Sequence, residues 1–280
     1  MRKIDVDDIK QTIEKLFIAA NFTLPADILE AVKKAQEIET SLTAKGILNQ
    51  ILKNAVIAEE ENLPLCQDCG VALVFMDIGQ DIEFTGGDLR EAINEGVRNA
   101  YNNAYLRKSM VQSPIERKNT NDNTPAIIHF DIIPGDKVTI TVMPKGGGCE
   151  NMSTLAMLHP SDGIKGIKRF ILETVYKSGA NPCPPIIIGV GLGGDFEYAA
   201  FLAKKALLRV IGTPNKDPKL DKLEKELLQE INLLGIGPLG MGGKVSALAV
   251  HILEVPCHIA SLPVAVNIEC HSHRYKEATI

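Results

Sequence analysis

Tryptophan is absent and aromatic residues make up only 5% of this 280-residue chain. Stacking platforms for bases or sugar rings are therefore poorly supplied. An excess of positive charge is also missing. Thirty Lys and Arg against 35 Asp and Glu give a net charge of −5, which argues against a nucleic-acid footprint. Long apolar runs are lacking: stretches such as Pro184–Val190 are too short to span a bilayer. The N-terminus, MRKIDVDDIKQTIEKLF, is charged and amphipathic and lacks the apolar core of a signal peptide. These absences make a cytoplasmic protein with no nucleic-acid or membrane partner the expectation. No internal repeat and no low-complexity tract stands out.

What is present is a hydrophobic content of 45%, enough for one large or two moderate domains. Apolar residues at Ile9, Ile13, Leu16 and Phe17 predict a helix over Val6–Ala20. Pro25 restarts the chain, and helices are expected over Ile28–Ile38, Thr43–Glu60 and Asp88–Leu106, with a short buried strand at Val71–Met76. Arg117–Thr124 is polar and turn-rich, as a surface loop or lobe boundary is. Beyond it the pattern predicts strands at Ala126–Ile133, Lys137–Val142, Ile186–Val190, Val245–Leu253 and Pro263–Ile268. Helices are expected at Glu150–Leu158, Phe196–Val210 and Leu220–Leu234. The fold class is thus mixed α/β, with a helical N-terminal part (1–116) and an α/β part (125–280) sharing one domain over 1–280.

Six cysteines in a long chain without a signal peptide read as thiols or metal ligands rather than disulfides. Cys66 (PLCQDCG), Cys183 (NPCPPIII) and Cys270 (VAVNIECHSHR) lie beside Pro or Gly turns or at the end of an apolar run. They are too dispersed for a zinc knuckle or a ferredoxin. Such ligands need the whole chain to fold around one cofactor, and three thiolates leave one iron of a [4Fe–4S] cube open to a substrate. Cys66 and Cys69 have the C-x-x-C form of redox pairs, and Cys69 either shields a cluster or packs. Cys257 and Cys149 read as small buried hydrophobes. His271 and His273 read as part of a polar C-terminal tail, His258 as a structural histidine and Arg107 as a solvated helix-end charge.

Three glycine loops invite anion-binding readings. Gly189–Gly194 matches G-x-G-x-x-G, but VIGTPNKDPKLDK stands where a dinucleotide fold needs a second strand ending in an acid. A tight strand-to-helix turn, or amides facing a carboxylate or a cluster, fits better. Gly237–Lys244 resembles a phosphate loop, but Pro238 and Val245 replace the required Gly and Ser/Thr. Lys145 with Gly146, Gly147 and Gly148 is compatible with backbone amides approaching a dicarboxylate at a helix N-terminus.

Five segments, PLCQDCG, PKGGGCENMSTLAML, NPCPPIIIGVGLGG, GIGPLGMGGK and HIASLPVAVNIECHSHR, occur in the order found in the iron–sulfur hydro-lyases. The chain resembles the class I fumarases and the L-tartrate dehydratases from its first helix to its last residue. The resemblance implies a [4Fe–4S] cluster held by Cys66, Cys183 and Cys270, with one open iron. It implies carboxylate and hydroxyl contacts from Gln67, Asp68, Arg107, Gly146, Gly147 and Gly148, with Lys145 placed by its motif alone. Asp68 and His258 become the candidate catalytic groups for moving the proton of the leaving water. Family members usually carry Thr or a similar residue at position 69 and Ser at position 149. A spare thiol at Cys69 is open to oxidation.

The chain ends ten residues after Cys270, where two-chain members of that family split. A complete α subunit is expected, its β subunit supplying the base that takes the C–H proton. The expected reaction is reversible hydration of fumarate to (S)-malate, with L(+)-tartrate dehydration as the alternative. A reading of another class, a non-catalytic metal or electron-transfer module, leaves Arg107, His258 and the glycine loops without a role.

Overall fold

Periodicity of two kinds builds the structure, a computed structural model that describes residues 1–280. In chain order the elements are β1 (Arg2–Asp5), α1 (Val6–Phe22), α2 (Ala26–Ile38), α3 (Leu42–Glu61), β2 (Val71–Gly79), β3 (Ile82–Thr85), α4 (Leu89–Asn103), β4 (Ile127–Ile133) and β5 (Val138–Lys145). There follow α5 (Gly147–Glu150), β6 (Thr154–Leu158), α6 (Gly163–Ser178), β7 (Ile186–Gly194), α7 (Phe196–Ala206), α8 (Pro218–Leu233), β8 (Ala247–Cys257), β9 (Leu262–Glu269) and β10 (Lys276–Thr279). The fold is mixed helix and sheet, as its sequence pattern implies. No helix is long and apolar enough to cross a membrane. The elements fall into two units: 1–25, 55–147 and 274–280 form the first, 26–54 and 148–273 the second.

In the first unit a four-stranded sheet runs in the order β10-β5-β2-β4. β2 is central, antiparallel to β5 and parallel to β4. The turn between β4 and β5 therefore joins two strands that flank β2 rather than each other. α1 buries Ile9, Ile13, Leu16 and Phe17 in the same core as Ile93, Val97 and Tyr101 of α4, the i, i+3/i+4 stripe of an amphipathic helix. Asp5 and Asp88 cap the two helices by accepting the N–H of Asp7 and Glu91. The two helices meet at Gly96, where a Cβ would stand 2.6 Å from the Lys10 carbonyl oxygen.

In the second unit the sheet order is β6-β9-β7-β8. β7 alternates with period two. Ile186, Ile188 and Val190 join Ile171 and Val175 of α6 and Leu227 and Ile231 of α8 in one core. The opposite face of the strand carries Gly189 and Gly191 against α7. A Cβ at Gly189 would lie 2.1 Å from the Ala203 oxygen, and one at Gly191 2.0 Å from the Ala199 oxygen. The G-x-G-x-x-G run is thus mostly strand, and its glycines let a helix backbone press onto the sheet.

Two local expectations are overturned. Residues 154–158, expected to be helical, form β6, paired antiparallel with β9. Only the four-residue α5 precedes them, too short to offer a helix N-terminus as an anion site. The polar C-terminal tail is ordered: Ser272, His273 and Arg274 are buried, and β10 pairs with β5.

Gly191→Ala tests the helix-on-strand contact. The obstructing atoms are backbone and cannot rotate away, so unfolding in urea should show a loss on the order of 3 kcal/mol or more. A change within about 0.5 kcal/mol would mean that α7 does not need this glycine.

Candidate functional site

The first unit presents the loop Cys66–Gly70, which leaves α3 and enters β2. The Cys66 Sγ accepts the Asp68 N–H at 3.4 Å and lies 3.5 Å from the Gln67 side-chain oxygen. A thiolate that accepts an amide two residues on suits a metal ligand, because the charge is met by a fixed dipole. The Asp68 carboxylate is well occupied. One oxygen accepts the Gly70 N–H at 3.0 Å and the Ser109 hydroxyl at 3.3 Å, and the other accepts the Gly147 N–H at 2.8 Å. It thereby ties Cys66–Gly70 to the Gly146–Gly147 segment, where both glycines would point a Cβ at the same carboxylate oxygen. Lys145, at the end of β5, is buried. Arg107 is exposed, while its backbone N–H reaches the Cys69 Sγ at 3.2 Å. Cys69 is itself buried within the apolar core, and burial pushes its thiol pKa up. It packs, and in this state it is a poor nucleophile.

Buried polar residues that the sequence reading did not single out hold this loop. The Tyr101 hydroxyl donates to the Cys69 oxygen at 2.6 Å and sits 3.2 Å from the Gly70 oxygen. Burial drives its pKa up, so it stays a donor. Asn123, in the segment expected at the surface, is fully buried. Its side-chain oxygen accepts the N–H groups of Ser109 and Met110 at 2.7 and 3.1 Å, and its amide donates to the Gly70 oxygen at 3.1 Å. The buried guanidinium of Arg274 donates to the Asp68 carbonyl. The weak signal available was the presence of Asn and Arg inside otherwise short turn-forming stretches. No spacing links them to Cys66.

The second unit brings the other two candidate cysteines onto adjoining loops. Cys183 is exposed and adopts φ +53°, a left-handed conformation that non-glycine residues rarely take. Its carbonyl is 2.9 Å from the Nδ1 of His271. Cys270 follows the last residue of β9, and its Sγ accepts the Ser272 N–H at 3.3 Å, as Cys66 does in its own loop. Cys149 is buried there too, with its thiol 3.6 Å from the Pro182 oxygen. A hydrogen bond from Cys149 holds the Cys270 thiol below its usual pKa against the effect of burial. The Cys149 and Cys270 sulfurs and a Glu269 oxygen lie within 4.8 Å of one another, a donor set able to take a metal. Gly148 belongs to this unit, close to the Asn181 oxygen.

His258 lies apart from those loops, exposed after the end of β8, where a cavity of about 560 Å³ is lined by Gly194, Asp195, Glu197, Tyr198, Cys257 and His258. Its Nδ1 accepts the Ala260 N–H at 3.1 Å, which leaves the proton of the neutral ring on Nε2. Cys257 is exposed, not the buried small hydrophobe that its apolar neighbours suggested: it pairs with Gly194 at the end of β8, an edge strand of its sheet. His271 and His273 are not part of a solvated tail. His273 is buried, with Nε2 2.9 Å from the Leu207 oxygen.

Cys66 thus lies on an amide-lined loop of the first unit, and Cys183 and Cys270 lie on adjoining loops of the second. The model of the family described as fumarate hydratase (Fumerase) matches residues 10–279, and the chain belongs to that family of hydro-lyases. A putative L(+)-tartrate dehydratase subunit alpha of Methanocaldococcus jannaschii is 46% identical over 272 residues, covering 95% of each chain. The L(+)-tartrate dehydratase subunit alpha of Escherichia coli K12 is 36% identical over 276 residues, 95% of this chain and 90% of the relative. That of Shigella sonnei matches to the same extent.

Asn123→Ala tests the scaffold under the Cys66 loop. It strands two amides in a buried setting and leaves the Gly70 carbonyl to Tyr101 alone, which should cost about 3 kcal/mol in thermal or urea unfolding. The same variant should speed hydrogen exchange at Ser109 and Met110. Unchanged exchange at both would show that their amides do not depend on Asn123.

Proposed function

We propose that this chain is the alpha subunit of a [4Fe–4S]-dependent hydro-lyase acting on a C4 dicarboxylate, with residues 1–280 as one cytoplasmic catalytic domain. The reaction is the reversible hydration of fumarate to (S)-malate. L(+)-tartrate dehydration is the second reading, favoured by the names of the relatives at 36–46% identity. The observation that carries the proposal is the meeting of the Cys183 and Cys270 loops through His271, in a chain whose family model spans 10–279. The donor chemistry suits a cluster: Cys66 and Cys270 each accept an amide two residues on, and Cys183 sits exposed on a constrained turn.

Cys66, Cys183 and Cys270 are the residues that would hold the cluster. When bound with one iron lacking a protein ligand, it supplies a Lewis acid for the substrate's hydroxyl and carboxylate. The chain's own groups do the rest. The exposed Arg107 offers a planar fork to a carboxylate. Gly146, Gly147 and Gly148 let backbone amides come close to an anion, and Gln67 and Lys145 complete the substrate-binding set. Asp68 holds the Gly147 amide in place while its carboxylate remains an acceptor. His258 carries an exchangeable proton on Nε2 and is the second candidate for moving the proton of the leaving water. The base for the C–H proton has no evident owner in this chain, and we assign it to a beta subunit, in keeping with the alpha-subunit names of the relatives.

Anaerobic reconstitution with iron and sulfide, followed by malate and tartrate assays with and without the separately expressed beta chain, tests the proposal. Cys66→Ser, Cys183→Ser and Cys270→Ser should each abolish the cluster absorbance. Arg107→Lys should keep it while lowering kcat/KM by roughly 10–100-fold, since a bidentate charged hydrogen bond contributes about 1.5–3 kcal/mol. A cluster that survives Cys270→Ser would refute the ligand set. Full turnover by the pure chain alone would refute the assignment of the base.

A further inference from the structure

The second unit carries a donor set of which the three-cysteine reading uses Cys270 alone. Cys149 Sγ, a Glu269 carboxylate oxygen and Cys270 Sγ lie within 4.8 Å of one another. Cys149 and Glu269 are buried, at 5% and 3% exposure, and Cys270 is half-buried. The geometry points to a mononuclear site: in the cluster-free chain, these three side chains hold one zinc-class divalent cation, and by occupying Cys270 that cation blocks cluster assembly.

Local structure explains how the donors meet. Successive residues of a strand point to opposite faces, so Glu269 and Cys270 can share one ion only where the strand stops. β9 ends at Glu269, and the chain turns at Cys270, with the His273 N–H returning to the Cys270 oxygen at 3.0 Å. Cys149 is set opposite by its neighbour. Glu150 bonds Lys204 at 2.5 Å with one oxygen and Asn267 of β9 at 3.0 Å with the other. Ser153 adds a second tie by accepting the Ile268 N–H at 3.2 Å. The cysteine is thus anchored to the strand that carries the other two donors.

The chemistry of the set selects the ion. Two thiolates and one carboxylate are too soft for Mg²⁺ or Ca²⁺ and match Zn²⁺ or Co²⁺, with the fourth tetrahedral position left to water. In such a site the ligand atoms stand about 3.8 Å apart, the edge of a tetrahedron with Zn–S bonds of ~2.3 Å. The observed spacing needs a closure of an ångström or less. Binding exchanges S–H bonds for S–metal bonds and releases the protons to solvent, with no change of oxidation state. The site uses neither Cys66 nor Cys183. Only its effect on cluster assembly rests on the proposed role of Cys270.

The test uses the full-length, reduced, cluster-free chain under anaerobic conditions, with Co²⁺ as the probe and Zn²⁺ as competitor. One equivalent of Co²⁺ should produce a near-ultraviolet thiolate-to-metal charge-transfer band with the intensity of two sulfurs, and Zn²⁺ should abolish it. Cys149→Ser should roughly halve the band and weaken binding about tenfold or more. Glu269→Gln should weaken binding without changing the band. Cys66→Ser and Cys183→Ser should leave it intact. Preloading with Zn²⁺ should slow reconstitution with iron and sulfide in the wild-type chain, reversibly with a chelator, and have little effect in Cys149→Ser. No band, or a band that depends on Cys66 or Cys183 rather than Cys149, overturns the site. If the Co²⁺ site behaves as expected but Zn²⁺ leaves cluster assembly untouched, the blocking effect is overturned. A chain that takes up no cluster even when metal-free counts against the proposed function and leaves the Co²⁺ result standing.

Discussion

The chemistry-bearing loops leave the sheets, and each backbone amide or carbonyl they bury must find a partner other than a strand. The rest of the arrangement follows from that constraint. At Cys66–Gly70 the partners are side chains: Tyr101 and Asn123 take the carbonyls of Cys69 and Gly70, Arg274 takes that of Asp68, and Asp68 itself takes the Gly70 and Gly147 amides. At Cys183 and Cys270 the partners are His271 and the thiolate's own loop amides. A buried aromatic or amide side chain has few rotamers left to choose from, so each such contact fixes loop geometry more firmly than a surface contact could. Cys66, Cys183 and Cys270 are exposed or half-buried, while Tyr101, Asn123 and Arg274, which hold the Cys66 loop, are buried.

The second constraint is packing. β7 carries a row of glycines against α7 because a helix backbone occupies the space of their side chains. A sequence reader sees the same glycines as a nucleotide fingerprint. What separates the two readings is the location of the positive-φ residues. Gly189 and Gly191 are ordinary strand, and only Gly193 and Gly194, at +87° and +66°, lie in the left-handed region. The run is a flat contact surface that ends in a turn. It is not a loop wrapped around a phosphate.

Sequence periodicity made α1, α2, α3, α4 and α8 legible, since each buries one stripe and shows the other to water. The central strands were legible as apolar runs. The misread segment, 150–158, is short and carries Met, Leu and Ala, which suit either period; its strand state is decided by pairing with β9, a contact more than a hundred residues away. β10 was illegible for the same reason: KEAT has no apolar stripe, and only β5 makes it a strand. At the site, turn-flanked cysteines and glycine segments were visible because Pro and Gly mark irregular backbone. Tyr101, Asn123 and Arg274 were not, because a residue that serves a loop by a long-range hydrogen bond leaves no spacing in the sequence. Cys257 misled in the other direction. Its apolar neighbours belong to the last stretch of the edge strand β8, where Pro256 and Cys257 are both exposed.

The two candidate acid–base groups differ in what their surroundings permit. Asp68 accepts three hydrogen bonds from two amides and a hydroxyl, so one side chain ties Cys66–Gly70, Ser109 and Gly147 together. Removing that acceptor would loosen the tie between Cys66–Gly70 and Gly146–Gly147. His258 ties no second segment. Its Nδ1 is engaged by one local amide, that of Ala260. Within this chain, then, Asp68 ties Cys66–Gly70 to Gly147, while His258 is bonded within its own turn after β8. That difference comes from the donors around each group rather than from their positions in the sequence.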